Sequence, residues 1–239
     1  INTSVRHGVL RFFRLNYKKL MKKQHAVDIP LFSSLPVFLR TDLYRQMYMP
    51  VLSTHPCFSR LSRHMMDPIC HSAILERHYP AGRKIFGKDE EARAMYFVCS
   101  GETSYYLDQY SPTTLAPSEW ISEAALWIRW RHRGLFVSKT SCEVLELDVQ
   151  RFLTVMSEAA KYDFELGGLR HYARLFIDHF GTCEEQCDQW TDLDRIGVMV
   201  ASSFPAEEYA SSWEACVPAK GRTFHSQLLQ RIQGLLPWK

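Results

Sequence analysis

Between two stretches with strand chemistry, the run Ser122–Trp127 (SEAALW) is alanine-rich and helix-prone. A short helix set there has first-turn N–H groups without intrahelical partners and a dipole that places partial positive charge at the same end. The backbone amides of Glu123, Ala124 and Ala125 can therefore hold a phosphate. A carboxylate at that end repels a phosphate unless it turns aside to accept from a sugar hydroxyl, and Glu123 is placed to do so. A cation should then come from the far side of the loop, where Arg129, Arg131, His132 and Arg133 follow. Trp120, Trp127 and Trp130 crowd the same segment. They either stack on a purine or fill the mouth of the strands, and filling is the commoner use of aromatic side chains.

Other chemistry is weaker. His179, Cys183 and Cys187 are spaced by four and line one helix face, but only three ligands are visible and Gly181 interrupts the helix, so no metal site is assigned. Ser, His and Asp are plentiful, yet no nucleophile elbow, Walker-type loop or His-Glu-x-x-His pattern occurs, and an enzyme is not expected. The seven cysteines are odd in number and scattered, several inside apolar runs such as Phe97-Val98-Cys99. Reduced, buried thiols in a reducing compartment fit this better than a disulfide framework.

The elements that must position this loop separate by texture. Residues 5–66 read as helical: Val9, Phe12, Phe13, Tyr17 and Leu20 recur at helical spacing. Leu35-Pro36 opens a second helix with Leu39, Leu43 and Met47 on one stripe and Pro50 at its end, and His55-Pro56 breaks the chain again. From 74 to 148, short strand-like runs are predicted at 74–79, 84–86, 95–99, 103–107, 135–138 and 142–147. Pro80-Ala81-Gly82, Gly101, Pro117 and Gly134 punctuate them, the pattern of an antiparallel barrel or sandwich. Residues 149–181 return to helix after Asp148 as N-cap, with a bend at Gly167-Gly168 and an apolar stripe of Leu169, Tyr172, Leu175 and Phe176. Beyond 181 only Phe224–Leu236 reads as one more helix.

With 46% hydrophobic residues most of the chain should fold, while no apolar run approaches the span of a bilayer. It opens on Ile1, so an excised fragment is expected. The net charge of +3 is uneven: Arg6, Arg11, Arg14, Lys18, Lys19, Lys22 and Lys23 stand in the first 25 residues with no acid among them. That segment is either a solvated helix face or a surface for anionic lipid or an acidic patch on a neighbouring subunit.

Four runs in order carry a resemblance: Pro80-Ala81-Gly82-Arg83-Lys84-Ile85-Phe86, Met95-Tyr96-Phe97-Val98-Cys99-Ser100-Gly101, Ile121-Ser122-Glu123-Ala124-Ala125-Leu126 and Cys142-Glu143-Val144-Leu145-Glu146-Leu147-Asp148. Together they resemble a cyclic-nucleotide-binding domain with its phosphate-binding cassette. Upstream, Leu35-Pro36 with Leu39–Leu43 and then His55-Pro56-Cys57-Phe58 resembles the linker of cyclic-nucleotide-gated and voltage-gated channels, which joins the pore to the β-roll and makes contacts between subunits. The departures lie in the cassette. Ser122 stands where the family has glycine, Asp89 replaces a turn glycine, and the family's phosphate-gripping arginine falls on His132, while a one-residue slip would bring Arg133 there.

The resemblance implies an α+β fold: a helical linker, an antiparallel, jelly-roll-like β-roll with an embedded short helix, and a C-terminal helical lid. The expected organisation is 1–66 linker-like, 67–181 β-roll with lid helices, and 182–239 a tail. The implied ligand is cAMP or cGMP, held by Ser122, Glu123, Ala124, Ala125 and His132 or Arg133. Its phosphate would rest on the cassette amides, its ribose on Glu123, and the Leu169–Phe176 helix would swing over the base and pull on the linker. The implied setting is the cytoplasmic face of a membrane, in a tetrameric potassium-channel-like assembly with other subunits as partners and no catalysis. Two alternatives stay open: a β-roll whose pocket is filled by a segment of its own chain, as in ether-à-go-go-type channels, with the tail after 181 as source, and a soluble regulatory module similar to a kinase regulatory subunit. No clean helix-turn-helix follows the lid, so no nucleic acid is expected.

Overall fold

A computed structural model describes residues 35–108, 111–159, 165–183, 185–190 and 192–204. The basic segment 1–25 and the helix expected at 224–236 lie outside them. By their contacts, residues Thr41–Ala219 form one unit, which holds every element below from the second turn of α1 onward; Leu35–Arg40 belong to another.

Helix α1 (Val37–Leu52) runs through Pro50 rather than stopping before it, because a proline in the last turn removes only one late hydrogen bond. The predicted stripe is only partly inward. Met47, Tyr48 and Leu52 are buried, while Leu39 is exposed. The break at His55-Pro56 is a turn that leads through a 3₁₀ turn (Phe58–Arg60), α2 (Arg63–Pro68) and a π turn (Ile69–Ala73) into the strands.

Eight strands follow among the described residues: β1 (Ile74–Tyr79), β2 (Lys84–Phe86), β3 (Ala94–Ser100), β4 (Thr103–Tyr106), β5 (Thr113–Leu115), β6 (Trp120–Ile121), β7 (Leu135–Ser138) and β8 (Cys142–Asp148). They pair antiparallel in two four-stranded sheets, β1-β8-β3-β6 and β2-β7-β4-β5, which do not close into a barrel. Phe86, Tyr105, Leu115 and Phe136 of one sheet meet Tyr96, Val98, Ile121 and Val144 of the other in a shared apolar core. The far face of β3 is covered by aromatic edges, Phe97 against Phe58 and Phe58 against Phe152. Asp89 takes φ 63°, the left-handed turn that aspartate tolerates better than most residues.

The embedded helix is α3 (Ala124–Trp127), between β6 and β7. Asp148 does cap the next helix, α4 (Val149–Ala159), accepting from Arg151 N at 2.9 Å. Helix α5 spans Glu165–Thr182, so Gly167 and Gly168 lie inside its first turn rather than before it. Gly168 is there for contact: a Cβ on it would stand 2.7 Å from the Phe204 ring and 2.8 Å from Ser203 O, whereas one on Gly167 would meet nothing. Those neighbours belong to the end of α6 (Leu193–Ser203), a helix packed on α5 that the reading of the sequence left out. Gly167→Ala is therefore expected to stabilise by about 0.5–1 kcal/mol. Gly168→Ala is expected to cost about 1–3 kcal/mol through overpacking, and denaturant midpoints of the two variants check the contrast. The fold is thus α+β, a β-roll with helices before, within and after it.

Candidate anion-binding site

The loop after α3 returns antiparallel to residues 89–92, between β2 and β3, and its inward side chain is His132. The imidazole lies flat on Phe86, with ring centroids 3.6 Å apart and planes 5° from parallel. Its neighbours divide cleanly. Arg131 reaches the Asp89 carbonyl, while Arg133 is exposed with its guanidinium 5.2 Å from the Trp130 ring centroid. His132 therefore points inward and the Arg133 side chain does not.

What His132 meets is a carboxylate of the same chain. Asp188, in the segment between α5 and α6, is 3% exposed, and its carboxylate accepts five hydrogen bonds. Its Oδ1 takes Trp130 Nε1–H at 2.7 Å and His132 Nδ1–H at 2.8 Å. Its Oδ2 takes the backbone N–H of Arg133 at 2.7 Å, that of Gly134 at 3.1 Å and the Tyr105 hydroxyl at 2.8 Å. The Asp188 carbonyl accepts from Ser122 N at 2.7 Å, so the first cassette residue also holds the backbone of this segment. Gly134 is required at its place: a Cβ would lie 2.4 Å from the Tyr106 carbonyl oxygen.

Burial alone would raise the Asp188 pKa. The hydrogen bonds from His132 and Trp130 more than offset that, and the carboxyl is held below its ordinary value. The segment is clamped from outside by aromatic edges: Trp190 packs on Phe176 at 5.2 Å and Phe180 on Trp130 at 5.2 Å. Helix α5 and the Asp188 segment thus lie closed over the loop.

The other cassette residues face elsewhere. Ser122 takes φ 69°, the left-handed region that favours glycine, and its hydroxyl is buried without a hydrogen-bond partner among the described residues. Residues are held in that region only when their surroundings over-determine them, as ligand clamps do. Ala125 N–H is engaged by the Ser122 carbonyl at 3.2 Å, and Ala124 is buried at the start of α3. Glu123, expected on a sugar hydroxyl, is 3% exposed and bonded wholly within the protein. Its Oε1 accepts from Tyr172 OH at 2.8 Å and Trp127 Nε1–H at 3.2 Å, and its Oε2 from His55 Nε2 at 2.9 Å.

The proton on His55 follows from its other nitrogen. Nδ1 accepts from Cys57 N at 3.2 Å, so Nε2 carries the hydrogen and donates. The three tryptophans pack, as filling the mouth requires: Trp120 sets an edge on His55 at 4.6 Å, and the other two donate to Glu123 and Asp188. A cavity of about 300 Å³ lies between α3, α4 and α5, lined by Leu126, Trp127, Phe152, Met156 and Leu169, and shares no residue with the Asp188 cradle.

Sequence reasoning singled out the loop, His132 and Glu123 as ligand-binding, and the structure engages both side chains within the protein. That reasoning missed Asp188, Tyr105, Tyr172 and His55 as members of the site. Only a donor-rich loop in want of an anion hinted at Asp188, and nothing local marked which acid would serve.

Compared with known families, residues 76–159 match the cyclic nucleotide-binding domain. No curated protein matches the chain. The matched stretch ends before Asp188 and Tyr172 and begins after His55, so it holds the cradle but not what fills it.

Proposed function

We propose that this chain is the regulatory region of an ion-channel-type subunit whose cyclic nucleotide-binding domain is kept in a self-liganded state by Asp188. The observation that carries the reading is the set of five donors on one buried carboxylate at the loop where the family grips its cyclic phosphate. A negative ligand must displace Asp188 before it can use those donors. Because Asp188 lies between α5 and α6, displacing it pulls on both helices. In this reading the closed state of α5 needs no nucleotide, and the domain serves assembly and gating. cAMP or cGMP acts only where it outcompetes an intramolecular carboxylate, whose effective concentration is high because the chain tethers it.

The channel setting rests on the resemblance of the Leu35–Leu43 and His55–Phe58 segments to a channel linker. So do the tetramer, the other subunits as partners and the cytoplasmic face of a membrane. The basic residues of 1–25 make anionic lipid a fitting partner for that end. No helix among the described residues is long and apolar enough to cross a membrane. The matched family is one of binding modules, in keeping with a regulatory rather than catalytic role.

Calorimetric titration of the purified chain with cAMP and with cGMP tests the self-liganded reading. The expected result is no heat and no thermal stabilisation up to millimolar nucleotide. Micromolar binding lost in His132→Ala overturns it and makes the domain an ordinary nucleotide sensor.

A further inference from the structure

Glu123 occupies the position from which the family reads the ribose, yet each of its carboxylate oxygens is committed inside the protein. The donors come from three places: His55 in the turn after α1, Trp127 in α3 and Tyr172 in α5. Turning the carboxylate toward a ligand would leave the His55 ring nitrogen, the Trp127 indole and the Tyr172 hydroxyl without their acceptor. His55 and Tyr172 are fully buried, where no water replaces that acceptor. The opposite side of the loop is a built anion cradle. Among the described residues no Lys or Arg side chain contributes to it, since Arg133 lends only its backbone N–H. Beside it the Ser122 hydroxyl is buried with no partner among the described residues, while the Ser122 N–H holds the Asp188 carbonyl.

We infer that Glu123 is a pin joining the His55 turn, α3 and α5 rather than a ligand group, and that the cradle reads its ligand as a compact oxyanion, carboxylate or phosphate, without requiring a ribose hydroxyl. The inference rests on the self-liganded reading. Glu123 then determines specificity by its unavailability: a ligand admitted when Asp188 leaves is selected by its anionic group.

The test uses the whole chain carrying Asp188→Gly, which leaves a vacancy of the size of acetate, with acetate, inorganic phosphate, cAMP and 2′-deoxy-cAMP as probes. Acetate or phosphate at tens of millimolar is expected to raise the unfolding midpoint of the variant and leave wild type unchanged. The two nucleotides are expected to act alike or not at all. If the variant is unfolded without anion, recovery of folding on adding acetate is the same positive result, and Asp188→Ala, too full for acetate, is expected not to recover. A preference for cAMP over its 2′-deoxy analogue of about tenfold or more, erased by Glu123→Gln, overturns the inference, since one hydroxyl–carboxylate hydrogen bond is worth that much. A variant that responds to none of the four probes overturns it as well. Micromolar cAMP binding by wild type sinks the self-liganded reading instead, and is a separate outcome.

Discussion

Asp188→Asn, which keeps the side chain's shape and removes its charge, is expected to destabilise the protein by about 3–5 kcal/mol, nearly as much as Asp188→Ala. The reason lies in which donors are fixed. Beside Oδ1 stand the Trp130 indole N–H and the His132 Nδ1–H, and beside Oδ2 the backbone N–H groups of Arg133 and Gly134. An asparagine amide must place its own NH₂ on one side or the other, where it faces at least one donor that has no other role. For a domain of this size the loss corresponds to roughly 10 °C in the unfolding midpoint. Hydrogen exchange should quicken first in 185–190 and α6. A change of only a degree or two, with exchange in α6 unaltered, would show that Asp188 is not seated as described.

The pH dependence follows from the same carboxyl. Its pKa is lower folded than unfolded, so its contribution is fully present above the unfolded value of about 3.9 and is lost as pH falls through the folded one. Wild type is expected to lose none of it between pH 7 and pH 5, and the gap between wild type and Asp188→Asn should narrow only below about pH 4. Unfolding midpoints of both proteins across that range check the sign.

Glu123→Gln is expected to cost about 3 kcal/mol or more, although it too is isosteric. Because His55 Nδ1 accepts from Cys57 N–H, its Nε2–H can only donate, and Trp127 Nε1–H is a donor by constitution. A glutamine NH₂ therefore opposes a donor in either orientation. Tyr172→Phe removes one donor and should cost about 1.5–3 kcal/mol. The pair should fall short of additivity by about 1 kcal/mol or more, because once Glu123 is lost the tyrosine has less to hold. A denaturant double-mutant cycle measures that coupling. Strict additivity would mean that α5 is held over the loop by its aromatic packing alone, without Glu123.

These two carboxylates show how far the sequence reaches. The strands at 74–79, 84–86, 135–138 and the one from 142 were legible because turn residues and β-branched or aromatic runs act over a few residues. α3 was legible because an alanine-rich run interrupts them, and Asp148 because a cap is a contact three residues long. β5 and β6 were not, since Thr113–Leu115 and Trp120–Ile121 flank the Pro117 turn without an alternating run of their own and are strands through the neighbours they pair with. α6 could have been found, as Asp192 accepts from Arg195 N and Ile196, Met199 and Val200 repeat at helical spacing. The inward register of His132 follows from its stacking on Phe86, 46 positions earlier by residue number, which no local pattern encodes. By itself the sequence determined that a donor-rich loop sits in a β-roll and that a glutamate and a histidine stand at its two ends. Only the tertiary structure decided that the histidine meets Asp188, 56 residues on, and that the glutamate turns to His55, 68 residues back. Local chemistry sets what a side chain is able to bind, whereas its partner is whichever group the packing of distant segments buries within hydrogen-bond reach, where leaving either one unpaired is costly.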